Sequence, residues 1–145
     1  MNIEIITKEL NLNIYGCSAI AVNKDYTETA FRLMDKMWQV VNANKLANKG
    51  KNIWIYEAHH TVFAGLELSD MPAGHVQLEC KKLCLPKYAY YKHTGSYSLI
   101  KQTGQEMIAW IAMKGCEIVL PYVEIYGHWN NNEAMLETEL LMGLK

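Results

Sequence analysis

The chain has 145 residues, of which half are hydrophobic and one fifth are charged. Its 14 basic and 15 acidic residues give a net charge of -1, and Arg32 is the only arginine. This composition is typical of one globular domain and excludes a long disordered segment. It also argues against a nucleic-acid-binding surface, which depends on clustered lysine and arginine.

The sequence carries no recognisable targeting or membrane segment. The N-terminal "MNIEIITKEL" has acidic residues where a signal peptide has basic ones, and no stretch is apolar for long enough to cross a bilayer. We therefore expect a cytoplasmic protein whose four cysteines are reduced and mostly buried or half-buried. Cys80 and Cys84 have no His or Cys pair elsewhere at ligand spacing, so we predict neither a metal site nor a cofactor.

The first half of the chain reads as strands around one helix. Strands are predicted where Ile, Val, Tyr and Trp are enriched, at 3–6, 12–22, 52–56 and 61–68. A helix is predicted between the second and third strands, because Phe31, Met34, Trp38 and Val41 recur at helical spacing. Asp25 is its predicted N-cap, and the polar run 43–50 ends it. His59 and His60 fall in a predicted turn.

The second half follows a linker at 69–75 and repeats this order. Strands are predicted at 76–85, 87–93, 122–127 and 136–144, with a turn at 130–134. The helix at 95–115 is predicted to begin near Ser96 and to end at Gly115. Its predicted buried face consists of Ile100, Gly104, Ile108 and Ile111.

The two halves also resemble each other in sequence. "IWIY" at 53–56 aligns with "VEIY" at 123–126, which sets Trp54 opposite Glu124. We predict an α+β domain of two βαββ halves, at about 1–70 and 76–145, related by a pseudo-twofold axis, with two helices covering one side of antiparallel sheets. An unduplicated antiparallel sheet with two helices is the alternative.

Glu124 stands between two tyrosines on the predicted strand 122–127. Because side chains on a strand alternate between faces, Tyr122, Glu124 and Tyr126 share one face. If the halves pair symmetrically, this face meets Trp54 and Tyr56 in a central pocket with aromatic walls and one carboxylate. Such a pocket favours a flat organic cation. Composition and spacing alone favour the other interpretation, a glutamate on a solvated face of the strand.

Several short motifs resemble those of a known family. In the second half they are Tyr91, His93, Gly95 and Tyr97, then Trp110, then the Pro-x-x-Glu-x-Tyr pattern of Pro121, Glu124 and Tyr126. In the first half they are Met37 with Trp38, then "IYE" at 55–57 and "AGLE" at 64–67. In order and spacing these motifs resemble the GyrI-like family, the effector-binding domain of multidrug-sensing AraC-type transcription activators, which also occurs as a stand-alone protein, including on integron gene cassettes.

The resemblance implies a duplicated βαββ fold with a central aromatic pocket that binds lipophilic, cationic drugs and dyes. It implies that Glu124 is the acidic residue of that pocket. Trp54, Tyr56 and Tyr126 are the expected stacking walls. Trp54 occupies a position where the family often has glycine, so it either narrows the pocket or adds a wall. Further candidate ligand contacts, for which core packing is an equal alternative, are Tyr15, Tyr91 and Trp110.

Two other functions stay open on the sequence. Some relatives of this group resemble hydrolases of reactive alkylating compounds, and Glu124 with Tyr126 or Tyr91 is a workable acid/base pair for such a reaction. An inhibitor of a larger enzyme such as a topoisomerase is the other, with Trp129 and the turn 130–134 as candidate contacts. Strand edges and a surface with Met and Tyr also leave a homodimer open.

Overall fold

The computed structural model describes all 145 residues. The strands are β1 (Glu4–Ile6), β2 (Leu10–Ile20), β3 (Asn52–Glu57), β4 (Thr61–Leu66), β5 (Glu79–Leu85), β6 (Tyr88–Thr94), β7 (Ile118–Tyr126) and β8 (Glu137–Leu144). The helices are α1 (Tyr26–Ala43), between β2 and β3, and α2 (Ile100–Met113), between β6 and β7. The predicted α+β class is confirmed.

All eight strands form one antiparallel sheet in the order β1-β6-β8-β7-β3-β4-β2-β5. The units β2-α1-β3-β4 and β6-α2-β7-β8 have the same topology and meet where β3 pairs with β7. The predicted pair of βαββ units is therefore present, within a single continuous sheet.

The register at the junction places the pseudo-twofold axis. Trp54 pairs with Glu124, Ile53 with Ile125 and Ile55 with Val123. A twofold rotation that exchanges β3 and β7 therefore maps Trp54 onto Glu124. These are the two positions that the sequence alignment of the halves also equates.

The edge strands are exchanged between the halves. β1 belongs to the segment 1–70 but pairs with β6, and β5 belongs to 76–145 but pairs with β2. Each edge strand thus completes the sheet of the other half of the chain.

The exchange forces the sheet to curl. β1 at one edge is joined to β2, beside the other edge, through residues 7–9, and β5 is joined to β6 through residues 86 and 87. Such short connections hold the two ends of the sheet near each other. The inner side of the curl is filled by an apolar core that includes Ile14, Ile55, Phe63, Val123 and Leu141.

Helix α1 packs closely on the outer face of the sheet. Asp25 caps it as predicted and accepts a hydrogen bond from the backbone N–H of Glu28. Its buried side chains are Thr29, Ala30, Leu33, Met37 and Val41. The predicted buried face was wrong apart from Val41, because the true stripe lies one position away and leaves Phe31 51% exposed. Trp38, expected in the core, is half-buried, and its Nε1 donates to Asn52 Oδ1 at 2.7 Å.

Helix α2 lies on the same face and begins later than predicted. A short 3-10 turn, Tyr97–Leu99, precedes it, with Ser96 as the cap of that turn. Its buried residues are Ile100, Thr103, Met107 and Ile111. Two members of the predicted face differ from the structure, since Gly104 is half-buried and Ile108 is 50% exposed. Both line a cavity instead of contacting the sheet.

Neither helix combines the length and the apolar character that a membrane-spanning segment needs. All four cysteines are free, and Cys80 and Cys84 are exposed, unlike the buried or half-buried thiols expected from the sequence. They lie on the edge strand β5, whose outward-facing positions reach solvent.

Candidate ligand-binding site

A cavity of about 870 Å³ lies at the junction of the two halves. Its floor is the outer face of β3 and β7, and its sides are the first turns of α1 and α2, the turn at 57–60 and the start of β7. Thirteen of its 21 lining residues are hydrophobic. This size and composition are typical of pockets that bind small organic molecules.

Glu124 lies at the centre of the floor and accepts three hydrogen bonds. Tyr126 donates to Oε1 at 2.8 Å, Tyr56 donates to Oε1 at 3.1 Å, and Tyr122 donates to Oε2 at 2.8 Å. Glu124 is only 7% exposed. The open question about this residue is therefore answered: Glu124 is a buried carboxylate held by three phenols.

Strand geometry brings these four side chains together. Tyr122 and Tyr126 lie two positions before and after Glu124, so all three project from one face of β7. Tyr56 is the register partner of Tyr122 across the junction. The antiparallel pairing of β3 with β7 thus supplies the third phenol from the other half of the chain.

The phenols remain neutral donors. Burial raises the pKa of Tyr56, Tyr122 and Tyr126 far above the usual value, and the negative charge of Glu124 raises each further. Because the phenols carry no positive charge, they orient Glu124 and donate to both of its oxygens without neutralising its charge.

No cationic side chain pairs with Glu124. The ion pairs of the chain lie elsewhere, and the other acidic residue of the lining, Glu57, binds Lys81 at 2.6 Å. Lys101 lines the cavity from the exposed side of α2. His59 and His60 lie in the turn that the sequence predicted, and this turn is at the mouth of the cavity. The buried floor of the cavity is therefore negative, and the one lysine of the lining, Lys101, lies at the rim.

Aromatic rings form the walls around the carboxylate. Trp54, the register partner of Glu124, lies 4.8 Å from Tyr126 between ring centroids, and Phe31 meets Trp54 edge-on at 5.1 Å. Tyr56 and Tyr122 are stacked at 5.6 Å, and Tyr97 meets Tyr126 edge-on at 5.5 Å. The Nε1 of Trp54 is buried and has no hydrogen-bond partner.

Four of the seven predicted ligand contacts line the cavity: Glu124, Trp54, Tyr56 and Tyr126. The other three, Tyr15, Tyr91 and Trp110, do not. Tyr15 is on β2, which β4 separates from β3. Tyr91 shares the face of Glu124, but Leu140 lies between them in the register. Trp110, on α2, is half-buried and packs against the buried cluster beneath the helix, with Lys114 Nζ 5.4 Å from its ring centroid.

The predicted contacts omitted several lining residues. Tyr122 was placed on the correct face but not among the contacts, although its spacing of two from Glu124 is the signal that identifies it. Phe31, Tyr97 and Ile108 gave no such signal, because sequence spacing does not show which partly exposed side chains border a cavity. The site as a whole is an aromatic cavity with one unneutralised carboxylate, on a duplicated α+β fold.

No protein-family model and no curated protein matches the sequence. Solved structures match it over its whole length. The C-terminal domain of EcmrR has a TM-score of 0.73 at 16% identity, covering 100% of this chain and 99% of that domain. SAV2435 bound to tetraphenylphosphonium has a TM-score of 0.68 at 19% identity, covering 100% and 94%. An integron cassette protein from the mobile metagenome of Vibrio cholerae has a TM-score of 0.64 at 18% identity, covering 99% and 95%.

At these identities the likeness shows the fold. The matching structures include an integron cassette protein, one of the settings named with the GyrI-like resemblance. The resemblance drawn from the short motifs is thus confirmed as a statement about fold, and function must be argued from the site itself.

Proposed function

We propose that the chain is a binding module for lipophilic aromatic cations, with Glu124 as the counter-charge. One observation carries the proposal: a carboxylate that is 7% exposed has only neutral partners and lies in an aromatic cavity. A buried charge without a counter-ion is costly. A cationic ligand removes that cost.

The walls add to this selectivity. The faces of aromatic rings attract cations by about 0.5 to 2 kcal/mol each once water is removed. We propose Trp54, Tyr56, Tyr122 and Tyr126 as the residues that contact the ligand, since they surround Glu124 on the cavity floor. By analogy, the ligand of a structural neighbour supports the proposal, because tetraphenylphosphonium is a lipophilic aromatic cation.

We do not propose that the protein converts its ligand chemically. The pKa of each phenol beside Glu124 lies far above its usual value, which makes it a poor proton donor to a reacting group. Both oxygens of Glu124 are already hydrogen-bonded. The geometry therefore holds the carboxylate still, as a binding site requires.

The proposal is tested by titration with tetraphenylphosphonium and with tetraphenylborate, an anion of nearly the same shape. We expect the cation to bind at least about tenfold more tightly than the anion, and Glu124→Gln to weaken cation binding about tenfold or more, a loss of about 1.4 kcal/mol. Calorimetry gives both affinities, and circular dichroism checks that the variant is folded.

Glu57→Gln is the matched control. Glu57 also lines the cavity, but Lys81 already neutralises it, so its replacement is expected to change cation affinity less than about threefold. Equal binding of the cation to native protein and to folded Glu124→Gln would overturn the proposal. Chemical conversion of the bound ligand would replace it with the hydrolase hypothesis.

A further inference from the structure

The hydrogen bonds to Glu124 leave little acceptor capacity for a ligand. A carboxylate oxygen has two lone-pair sites, so the group can accept about four hydrogen bonds. Oε1 already accepts from Tyr56 and Tyr126, which uses both of its sites. Oε2 accepts from Tyr122 alone. One acceptor site, on Oε2, therefore stays open.

The rest of the cavity floor offers few other acceptors. Rings and apolar side chains make up most of the lining around Glu124, among them Trp54, Ile100 and Met142. Glu57, the other carboxylate of the lining, lies at the start of the turn at the mouth and already binds Lys81. The remaining polar residues also lie at the exposed mouth: Thr27, Gln105, His59 and His60. The phenol oxygens are neutral, so a ligand donor that turned to them would lose the stronger, charge-assisted bond to the carboxylate.

Cations differ in how many donors they must satisfy. A primary ammonium brings three N–H donors and a guanidinium five, whereas a quaternary ammonium or phosphonium brings none. Each donor that is buried without a partner weakens binding, because its bonds to water are lost and not replaced. A floor with one open acceptor site therefore discriminates among cations of equal charge.

We propose that the three phenols restrict this cavity to onium cations with at most one N–H donor, and thereby exclude primary ammonium, amidinium and guanidinium ligands. This inference rests on the proposed function and names its ligand class. Tyr122 is the residue that sets the limit, because its hydroxyl occupies one of the two sites on Oε2.

The test uses two probes with the same aromatic group, 2-(2-naphthyl)ethylammonium and its N,N,N-trimethyl analogue, with tetraphenylphosphonium as a reference. We expect native protein to prefer the trimethyl probe by about tenfold or more. The added methyl groups also contribute to this preference through their own apolar contacts, independently of hydrogen bonding. The decisive quantity is therefore its change in Tyr122→Phe, which opens a second site on Oε2 and is expected to lower the preference at least about threefold.

Tyr97→Phe is the matched control. Tyr97 also lines the cavity and contacts the ring of Tyr126, but its hydroxyl does not bond Glu124. Its removal is expected to leave the preference within about twofold. Two results would overturn this inference alone, provided that tetraphenylphosphonium still binds. One is that native protein shows no preference for the trimethyl probe. The other is that the preference is equal in native protein and in Tyr122→Phe. Failure of all three cations to bind would overturn the proposed function, and this inference with it.

Discussion

The two halves of the molecule share one topology but use it differently, and a single row of side chains across the sheet shows why. By register, the row runs Cys17, Ala64, Trp54, Glu124, Leu140, Tyr91 and crosses the pseudo-twofold axis at its centre. The positions Cys17 and Ala64 of the first half correspond to Tyr91 and Leu140 of the second. The first half thus presents small side chains to its helix and the second presents large ones.

The difference in size sets the distance at which each helix lies. Over Ala64 and Cys17, α1 approaches closely and buries Ala30 and Met37 completely. Over Leu140 and Tyr91, α2 is held away, so that Gly104 and Ile108 face a cavity. Both halves line the cavity, but their helices pack on the sheet at different distances, and substitutions at a few equivalent positions account for that difference.

The largest effect we predict is on stability in the first half. Met37 is 0% exposed, so Met37→Ala should cost about 2 to 5 kcal/mol by leaving a void that the close packing cannot fill. Ile108→Ala, on the half-exposed cavity face of α2, should change stability by less than about 0.5 kcal/mol. It should instead weaken cation binding about fourfold, because about 0.8 kcal/mol is the binding free energy that one buried methylene contributes.

Urea unfolding and ligand titration of the two variants measure these effects. Equal destabilisation by Met37→Ala and Ile108→Ala would show that the cavity side of α2 is packed as closely as the buried side of α1, which would contradict the proposed difference in packing.

The next effect is on the alkaline stability of the cavity floor. The pKa of Tyr56, Tyr122 and Tyr126 is raised in the folded protein, first by burial and then by the charge of Glu124, above the value of 10.0 for a free tyrosine. The folded state therefore holds protons that the unfolded state loses. The contribution of these protonated phenols to the free energy of unfolding is fully present below pH 10. As the pH rises above 10, the free energy of unfolding falls by roughly 1.4 kcal/mol per pH unit for each tyrosine.

Urea midpoints measured between about pH 8 and 11 test this, with Tyr126→Phe as the comparison. Above pH 10 the free energy of unfolding of Tyr126→Phe should fall less steeply with pH than that of native protein, by the contribution of one proton. Below about pH 9 the difference in unfolding free energy between the two proteins should be constant. An unchanged slope in Tyr126→Phe would show that this phenol ionises equally in the folded and unfolded states.

The sequence predicted those parts of the site that depend on local alternation. A spacing of two places Tyr122, Glu124 and Tyr126 on one face of β7 whatever the rest of the chain does, and the alignment of the halves correctly equated Trp54 with Glu124. The predicted buried stripe of α1 differs from the structure by one position, because hydrophobic periodicity favours large residues such as Phe31 as core. In the structure, small ones such as Ala30 meet the sheet.

The parts that were not predicted depend on long-range pairing. Tyr15 and Tyr91 lie on strands with suitable composition, but their distance from Glu124 is decided by which strands are inserted between, and composition does not encode that order. The exchange of β1 and β5 is of the same kind. It depends on hydrogen bonds between segments distant in sequence, and it moves the edges of the halves without changing any local pattern.

The smallest predicted effect concerns the rim on the side of α2. Lys101 is the one lysine that lines the cavity, and it lies on the exposed side of the helix. Its charge should oppose a bound cation weakly, because water and salt screen it, so Lys101→Gln should raise tetraphenylphosphonium affinity by about twofold to threefold at low ionic strength. Lys114→Gln, at the far end of α2 over Trp110, should leave the affinity unchanged.

Salt separates this charge effect from a change in shape. At about 1 M salt the screening length falls to about 3 Å, and the advantage of Lys101→Gln should disappear. The effect of Glu124→Gln should persist under the same conditions, since the carboxylate is buried and weakly screened. An advantage of Lys101→Gln that survives high salt would mean that this side chain blocks the cavity entrance physically, so that α2 gates ligand entry by its bulk and not by its charge.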